Sequence, residues 1–161
     1  MGVSLINRNN LGVPSGVLSR TSLLMHKLGI EVERRAEPRL QKLGITGRQY
    51  AALAILDSDQ PRSQHELGQL MGHGGQIIVG LADELEHLGL VERKRSTHDR
   101  RRIEIILTKS GKELLVEADA LGQEIEYEML GTLSVSERAV FNTTVRRIME
   151  SQWIPCDTND I

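Results

Sequence analysis

The sequence predicts a mainly α protein with one small two-stranded β element, and three observations predict it. Capping boxes open helices at three places: Thr46 with Gln49, Ser63 with Glu66, and Ser134 with Glu137. Each pairs an N-cap hydroxyl with a side chain three residues later that reaches back to it. Apolar residues recur at helical spacing over Ile78, Leu81, Leu85 and Leu88, and again over Leu114, Ala118, Leu121, Ile125 and Met129. Between these stretches the period drops to two. Leu90-Val91-Glu92-Arg93 reads as a short strand, and Ile103, Ile105 and Leu107 alternate with Arg102, Glu104 and Ile106 in a second.

A length of 161 residues bounds the chain to one domain, or to one domain with extra helices devoted to association. Charged residues at 26% and aromatics at 2% favour a helical globular protein over a disordered chain or a β-sandwich. The single cysteine, Cys156, excludes an internal disulfide, fits a reducing cytoplasm and reads as an incidental thiol in a polar tail. No apolar run approaches the ~18 residues of a membrane span, and the N-terminus has no basic stretch followed by an apolar one. The expected location is the cytoplasm, with no membrane partner.

Taken in order, residues 1–16 are rich in Gly, Asn and Pro without a steady period and read as an arm. Over residues 17–42 the positions Leu18, Leu23, Leu24, Leu28, Ile30, Val32 and Leu40 suit one long helix, weakened at Gly29 and bent at Pro38. Thr46 caps the next helix, which carries Tyr50, Leu53, Ile55 and Leu56 and gives way to a turn at Asp59-Gln60-Pro61. Ser63 opens a short helix with Leu67, Leu70 and Met71; Gly72-His73-Gly74-Gly75 breaks it; and the helix of Ile78 to Leu88 ends at Gly89. Two short helices across a tight turn, then a hairpin, is the order of a winged helix-turn-helix. That region spans 46–108. Residues 17–45 and 109–154 are dimerisation helices and 155–161 a tail. Helices with apolar stripes and no sheet to cover them need a partner, so a homodimer is expected, with Trp153 and Ile154 able to extend its interface.

Charge is distributed unevenly. The chain carries −2 in all. Yet residues 90–102 hold six bases (Arg93, Lys94, Arg95, Arg100, Arg101, Arg102) against Glu92 and Asp99, a local +4. Residues 110–130 hold six acids against Lys112, a local −5, and are not expected to lie on phosphate. A basic stripe is enough to bind nucleic acid whatever the total charge.

The run L-E-x-x-G-L-V-E-R at 85–93, then D-R-R at 99–101 and L-T-x-x-G at 107–111, resembles the MarR family of bacterial transcriptional regulators. The likeness extends over residues 18–149 and includes the pattern L-T-x-x-Q-Y-x-x-L, in which Ile45 stands for the first Leu. It implies a homodimeric repressor on palindromic double-stranded DNA. The wing arginine Arg101 would enter the minor groove, oriented by Asp99, where a narrow groove concentrates negative potential. Arg93, Lys94, Arg95, Arg100 and Arg102 would serve phosphates, as would the helix N-cap at Ser63 and Gln64. The resemblance also implies a small, often aromatic and anionic, ligand between the dimerisation helices and the winged motif. There His26, Arg48 and Tyr50 offer a donor, a cation and an aromatic wall.

One segment departs from the family. Groove-facing positions that are often Arg, Ser or Thr are here Gly75, Gln76, Ile77, Val79 and Gly80. Gln76 can pair bidentately with adenine, and Ile77 or Val79 can touch thymine methyl groups. Either this helix reads A·T-rich sequence weakly, or it has been altered and no longer reads its operator. A different class of function follows from the same residues: a dimeric protein-interaction module engaging its partner through Ile77 and Val79.

Enzymatic readings find no support. Gly72-His73-Gly74-Gly75 is superficially like a lipase oxyanion segment, but no G-x-S-x-G elbow accompanies it. Among His26, His65, His73, His87 and His98 there is no zinc-ligand spacing, so neither metal nor cofactor is expected.

Overall fold

The computed structural model describes residues 15–57, 62–96 and 102–152. Residues 1–14 of the arm, the turn at 59–61, the hairpin tip with His98, Asp99, Arg100 and Arg101, and the tail with Trp153, Ile154 and Cys156 lie outside the described residues. The chain divides into two units, residues 1–35 and 36–161.

In the first unit the single helix expected from residue 17 begins as two. Helix α1 (Ser15–Leu18) stops after one turn, and α2 (Thr21–Leu40) starts afresh. The Gly16 carbonyl, which would carry the helix onward, accepts from the Ser19 hydroxyl at 3.1 Å and from the Arg20 guanidinium. Further along α2, Arg34 and Arg35 both reach Glu31 Oε1 at 2.7 Å, hydrogen bonds that lower the Glu31 carboxyl to about 2.

In the second unit α2 runs through Pro38 without a break, tightens into a 3₁₀ turn at Gln41–Leu43, and ends at Gly44 with φ of 80°. Helix α3 (Gly47–Leu56) starts at the expected capping box: Thr46 Oγ1 accepts from Gln49 N–H, and Gln49 Oε1 accepts from Thr46 N–H at 2.9 Å. Helices α4 (Gln64–Met71) and α5 (Gly75–His87) follow, then strands β2 (Val91–Arg95) and β3 (Ile103–Leu107). Ser63 caps α4 and Glu66 closes the box, as the sequence predicts.

The sheet has one more strand than expected. Residues Arg62–Ser63 form β1, antiparallel to β3, so the order is β1-β3-β2. Two residues are too few to show a period, and Ser63 announces itself only as a cap. Between β2 and β3 the register pairs Val91 with Leu107, Arg93 with Ile105 and Arg95 with Ile103, placing the six on one face.

The core sits where α3, α4, α5, the sheet and the start of α6 (Lys109–Met129) meet. Leu53, Leu67, Ile78, Leu85 and Ile105 are its fully buried large side chains, each contributing about 1.5–3 kcal/mol. Leu88, expected on the inward face of α5, is exposed, because it is already the helix's C-terminal cap before Gly89 turns to φ of 71°. The phase of α6 also differs. Gly111, Leu115, Ala118 and Ile125 are its buried residues, while Leu114 and Leu121 only flank the core. Gly111 sets the phase: a Cβ there would lie 2.0 Å from the Leu90 carbonyl oxygen. Thr108 anchors the same junction, accepting from Gly111 N–H at 3.0 Å while donating to the Gly89 carbonyl at 2.7 Å.

Helix α7 (Val135–Gln152) opens at the predicted box, where Glu137 Oε2 accepts from Ser134 N–H at 2.7 Å. Its Val140, Phe141, Val145, Ile148 and Met149 are all exposed.

Candidate nucleic-acid interface

The helix-turn-helix is built on a close approach. A Cβ at Gly68 would lie 3.1 Å from the His73 carbonyl oxygen and 3.3 Å from Ile78 Cγ1, so glycine lets α4 and α5 come together. Gly72 ends α4 with φ of 64°, a conformation glycine adopts without penalty, and the His73 N–H donates to the Gly68 carbonyl at 3.0 Å. With Ile78, Leu81, Ala82 and Leu85 buried, the other side of α5 faces out. Gly75, Gln76, Ile77, Val79 and Gly80 are all exposed there. Neither Gly75 nor Gly80 has a heavy atom within 4 Å of where a Cβ would stand.

Strand β2 and the residue before β3 carry the described part of the basic cluster, and two of the arginines expected on phosphates make ion pairs within the protein. Arg93 lies on the inward face of β2, its side chain only 23% exposed, against 57% for Lys94. Its Nη2 donates to Asp83 Oδ1 at 2.5 Å and its Nη1 to Glu86 Oε2; the Arg93 N–H donates to Glu86 Oε1 at 3.2 Å. Burial disfavours the Arg93 cation, but those bonds outweigh it and raise its pKa. Arg102 Nη2 donates to Glu66 Oε2, the oxygen that also accepts from Ser63 N–H at 2.8 Å and Ser63 Oγ at 3.0 Å. Burial pushes the Glu66 carboxyl up, and the Ser63 and Arg102 bonds hold it below its usual range regardless. Lys94 pairs with Glu92 at 2.6 Å, while Arg95 is exposed.

Ser63 and Gln64, expected beside phosphate, therefore sit at a cap whose hydroxyl and N–H already serve Glu66. The three residues expected at a ligand site each have their own local surroundings. Arg48 lines a cleft of about 520 Å³ with Glu37, Thr46, Gln76, Gly80 and Glu84, beside the exposed face of α5. Tyr50 instead donates its hydroxyl to Asp119 Oδ1 at 2.8 Å on α6. His26 is exposed on α2.

Sequence reasoning missed the carboxylates that hold the arginines. Two signals were available: strand parity puts Arg93 with Val91 on the buried side, and Asp83 and Glu86 lie three apart on one helix face. It also missed the second role of Gln49, the cap partner of Thr46, which is buried and donates its Nε2 to Glu84 Oε2 at 3.0 Å. Among the described residues no helix is long and apolar enough to cross a membrane, and no group of three or more His, Cys, Asp or Glu could hold a metal ion.

Mainly helical, with an antiparallel wing set after a helix-turn-helix, this geometry defines a winged helix-turn-helix protein. The MarR family model matches residues 43–102. The transcriptional repressor MprA of Escherichia coli (strain K12) is 30% identical over 131 residues, 80% of this chain and 74% of that protein. Among solved structures, CouR from Rhodococcus jostii RHA1 bound to p-coumaroyl-CoA is 26% identical. It matches with a TM-score of 0.72 over 84% of this chain and 95% of that one. The Staphylococcus aureus MepR–DNA complex is 25% identical and matches at 0.66, covering 81% and 96%. The chain belongs to the MarR family and is a transcriptional regulator, not an enzyme.

Proposed function

We propose that this regulator is a homodimeric repressor that binds a palindromic duplex, with α5 in the major groove and the wing over the backbone and minor groove. The observation that carries this reading is the division of α5 into a packed face and an outward face of Gln76, Ile77, Val79 and Gly80. A helix so exposed beside a hairpin fits the groove, and the match to MepR in complex with DNA supports the same docking. Gln76 is the polar base reader, suited to adenine, and Ile77 and Val79 suit thymine methyls. Arg101 and Asp99 supply the minor-groove contact, with Lys94, Arg95 and Arg100 on phosphates. The repressor role agrees with the name of MprA.

Dimerisation is assigned to residues 17–45 and 109–154, because α7 leaves Phe141, Val145, Ile148 and Met149 exposed on a helix that the core does not cover. Release from DNA is assigned to a small, aromatic anionic ligand, as the CouR complex with p-coumaroyl-CoA suggests by analogy. Arg48 is exposed for such a ligand, whereas the Tyr50 hydroxyl is engaged by Asp119.

A second reading has its own support: the outward residues Gly75, Gln76, Ile77, Val79 and Gly80 are uncharged and two described wing arginines are internally paired, as a protein-interaction module would allow. Selection of bound duplexes from random DNA, followed by binding at two salt concentrations, separates the two. Enrichment of a palindrome whose binding weakens with salt supports the repressor, because phosphate contacts release counterions. No enrichment and no salt-sensitive shift favours the interaction module.

A further inference from the structure

We propose that Arg93 and Arg102 are positioning residues that lock the wing to the two helices of the helix-turn-helix, and that DNA affinity depends on the carboxylates holding them. The inference rests on the DNA-binding reading above and reverses the sign expected for Asp83, Glu86 and Glu66. As neighbours of a polyanion these acids should repel DNA; as anchors of the wing they are required for binding it.

The geometry supports this at both roots of the hairpin. On β2, Arg93 shares the inward face with Val91 and pairs across the ladder with Ile105, which is 1% exposed. Ser96 N–H donates to the Arg102 carbonyl and Thr108 N–H to the Leu90 carbonyl, fixing which residues of β2 point their backbone groups toward β3. Arg93 is not among them. Its N–H projects from the open edge of the sheet, where Glu86 Oε1 accepts it at 3.2 Å while Glu86 Oε2 takes the guanidinium. Asp83, one helical turn earlier, holds the other guanidinium nitrogen at 2.5 Å. One residue of the wing is thus gripped through backbone and side chain by the last two turns of α5. A phosphate would have to displace two carboxylates to recruit it.

At the other root, Arg102 immediately precedes β3 and ties it to α4 through Glu66, whose carboxylate also closes the capping box. Each strand of the hairpin is therefore fastened to a different helix. Together the fastenings set the span between the outward face of α5 and the point where the chain leaves for the wing tip. Specificity needs that span, because a base reader in one groove and an arginine in the next must arrive in register.

The test measures affinity for the selected duplex by fluorescence anisotropy across a salt series. Asp83→Asn combined with Glu86→Gln makes the protein more positive, yet is expected to weaken binding about tenfold with the slope of log affinity against log salt unchanged. Glu66→Gln is expected to behave alike. Arg93→Gln should lose as much, again at constant slope, and adding it to the double variant should lose little more. Lys94→Gln is the contrast, expected to reduce the slope by about 1 as a phosphate contact does. Thermal unfolding of each variant separates a loosened wing from a lost fold. Arg93→Lys, which keeps the charge but not the fork, provides a second route and is expected to lose affinity like Arg93→Gln.

Tighter binding by the carboxylate variants, a slope reduced by about 1 in Arg93→Gln, or wild-type affinity in Arg93→Lys overturns the proposal and leaves the DNA-binding reading intact. Wild-type protein that shifts no duplex at either salt overturns that reading and the proposal with it.

Discussion

Gln49 on α3 spans two helices with one side chain: its Oε1 accepts from the Thr46 N–H at 2.9 Å and its Nε2 donates to Glu84 Oε2 on α5 at 3.0 Å. The amide caps its own helix and steadies the outward-facing one. Gln49→Ala removes both bonds from a buried position, and the expected loss is about 1–2 kcal/mol, the size of a cap plus one hydrogen bond. Urea unfolding of the two proteins side by side checks it; equal midpoints would show that neither bond matters.

Two glycines should respond to alanine in opposite directions. Gly111→Ala drives a Cβ to 2.0 Å from the Leu90 carbonyl oxygen, so α6 must shift off the wing, with an expected loss of about 3 kcal/mol. Gly80→Ala meets nothing within 4 Å and should gain about 1 kcal/mol from helix propensity alone. Paired thermal melts decide the matter, and a stabilising Gly111→Ala would contradict the packing described.

Tyr50 supplies a prediction in pH. Burial and the Asp119 carboxylate push its hydroxyl up from 10.0 to about 12. The fold favours the protonated phenol, so this contribution is fully present below pH 10 and is lost as pH rises through about 12. In a Tyr127→Phe background, an absorbance titration of phenolate should place Tyr50 well above an unfolded control. Coincident curves would count against the Asp119 contact.

Binding should divide between wing and helix. Arg101→Ala is expected to weaken every duplex, with A·T-rich flanks affected most, whereas Gln76→Ala should remove about 1–3 kcal/mol of discrimination at one base pair per half-site. Anisotropy on the selected and a scrambled duplex distinguishes the two. An Arg101→Ala protein with unchanged affinity for both would shift weight to the interaction-module reading.

The exposed stripe of α7 makes the subunit count testable. Phe141→Asp with Ile148→Asp should halve the mass seen by light scattering at micromolar concentration while retaining helical circular dichroism. A wild-type protein already monomeric there would remove the dimer from the proposed function.

What could be read from the chain followed from how local the determinants were. Capping boxes at Thr46, Ser63 and Ser134 act over three residues and appear in the structure where the sequence places them. The change of period at Leu90 likewise marks the wing. Three things depended on distant partners and were not legible. The phase of α6 turns on Gly111 meeting Leu90, and two adjacent leucines at 114 and 115 left the helix face ambiguous. The two-residue β1 exists only because β3 lies beside it. The wing cations were counted as a sum, whereas Arg93 and Arg102 are each matched to specific acids by tertiary contact. The outward residues of α5 were named by resemblance to the family, and the structure leaves all five exposed, opposite the buried Ile78, Leu81, Ala82 and Leu85.

At Gly75 and Gly80 the backbone of α5 faces open space, and the packing of that helix falls to Ile78, Leu81, Ala82 and Leu85. With α5 reading the groove as proposed, foldedness and operator preference are encoded in separate, interleaved letters of one thirteen-residue word. Substitutions at 75, 76, 77, 79 and 80 can accumulate without repacking anything, so a descendant of this protein can change its target promoter by single steps, each passing through a stable molecule. The two glycines are blank positions in that alphabet, and a library randomised there would measure how many operators this scaffold is able to learn.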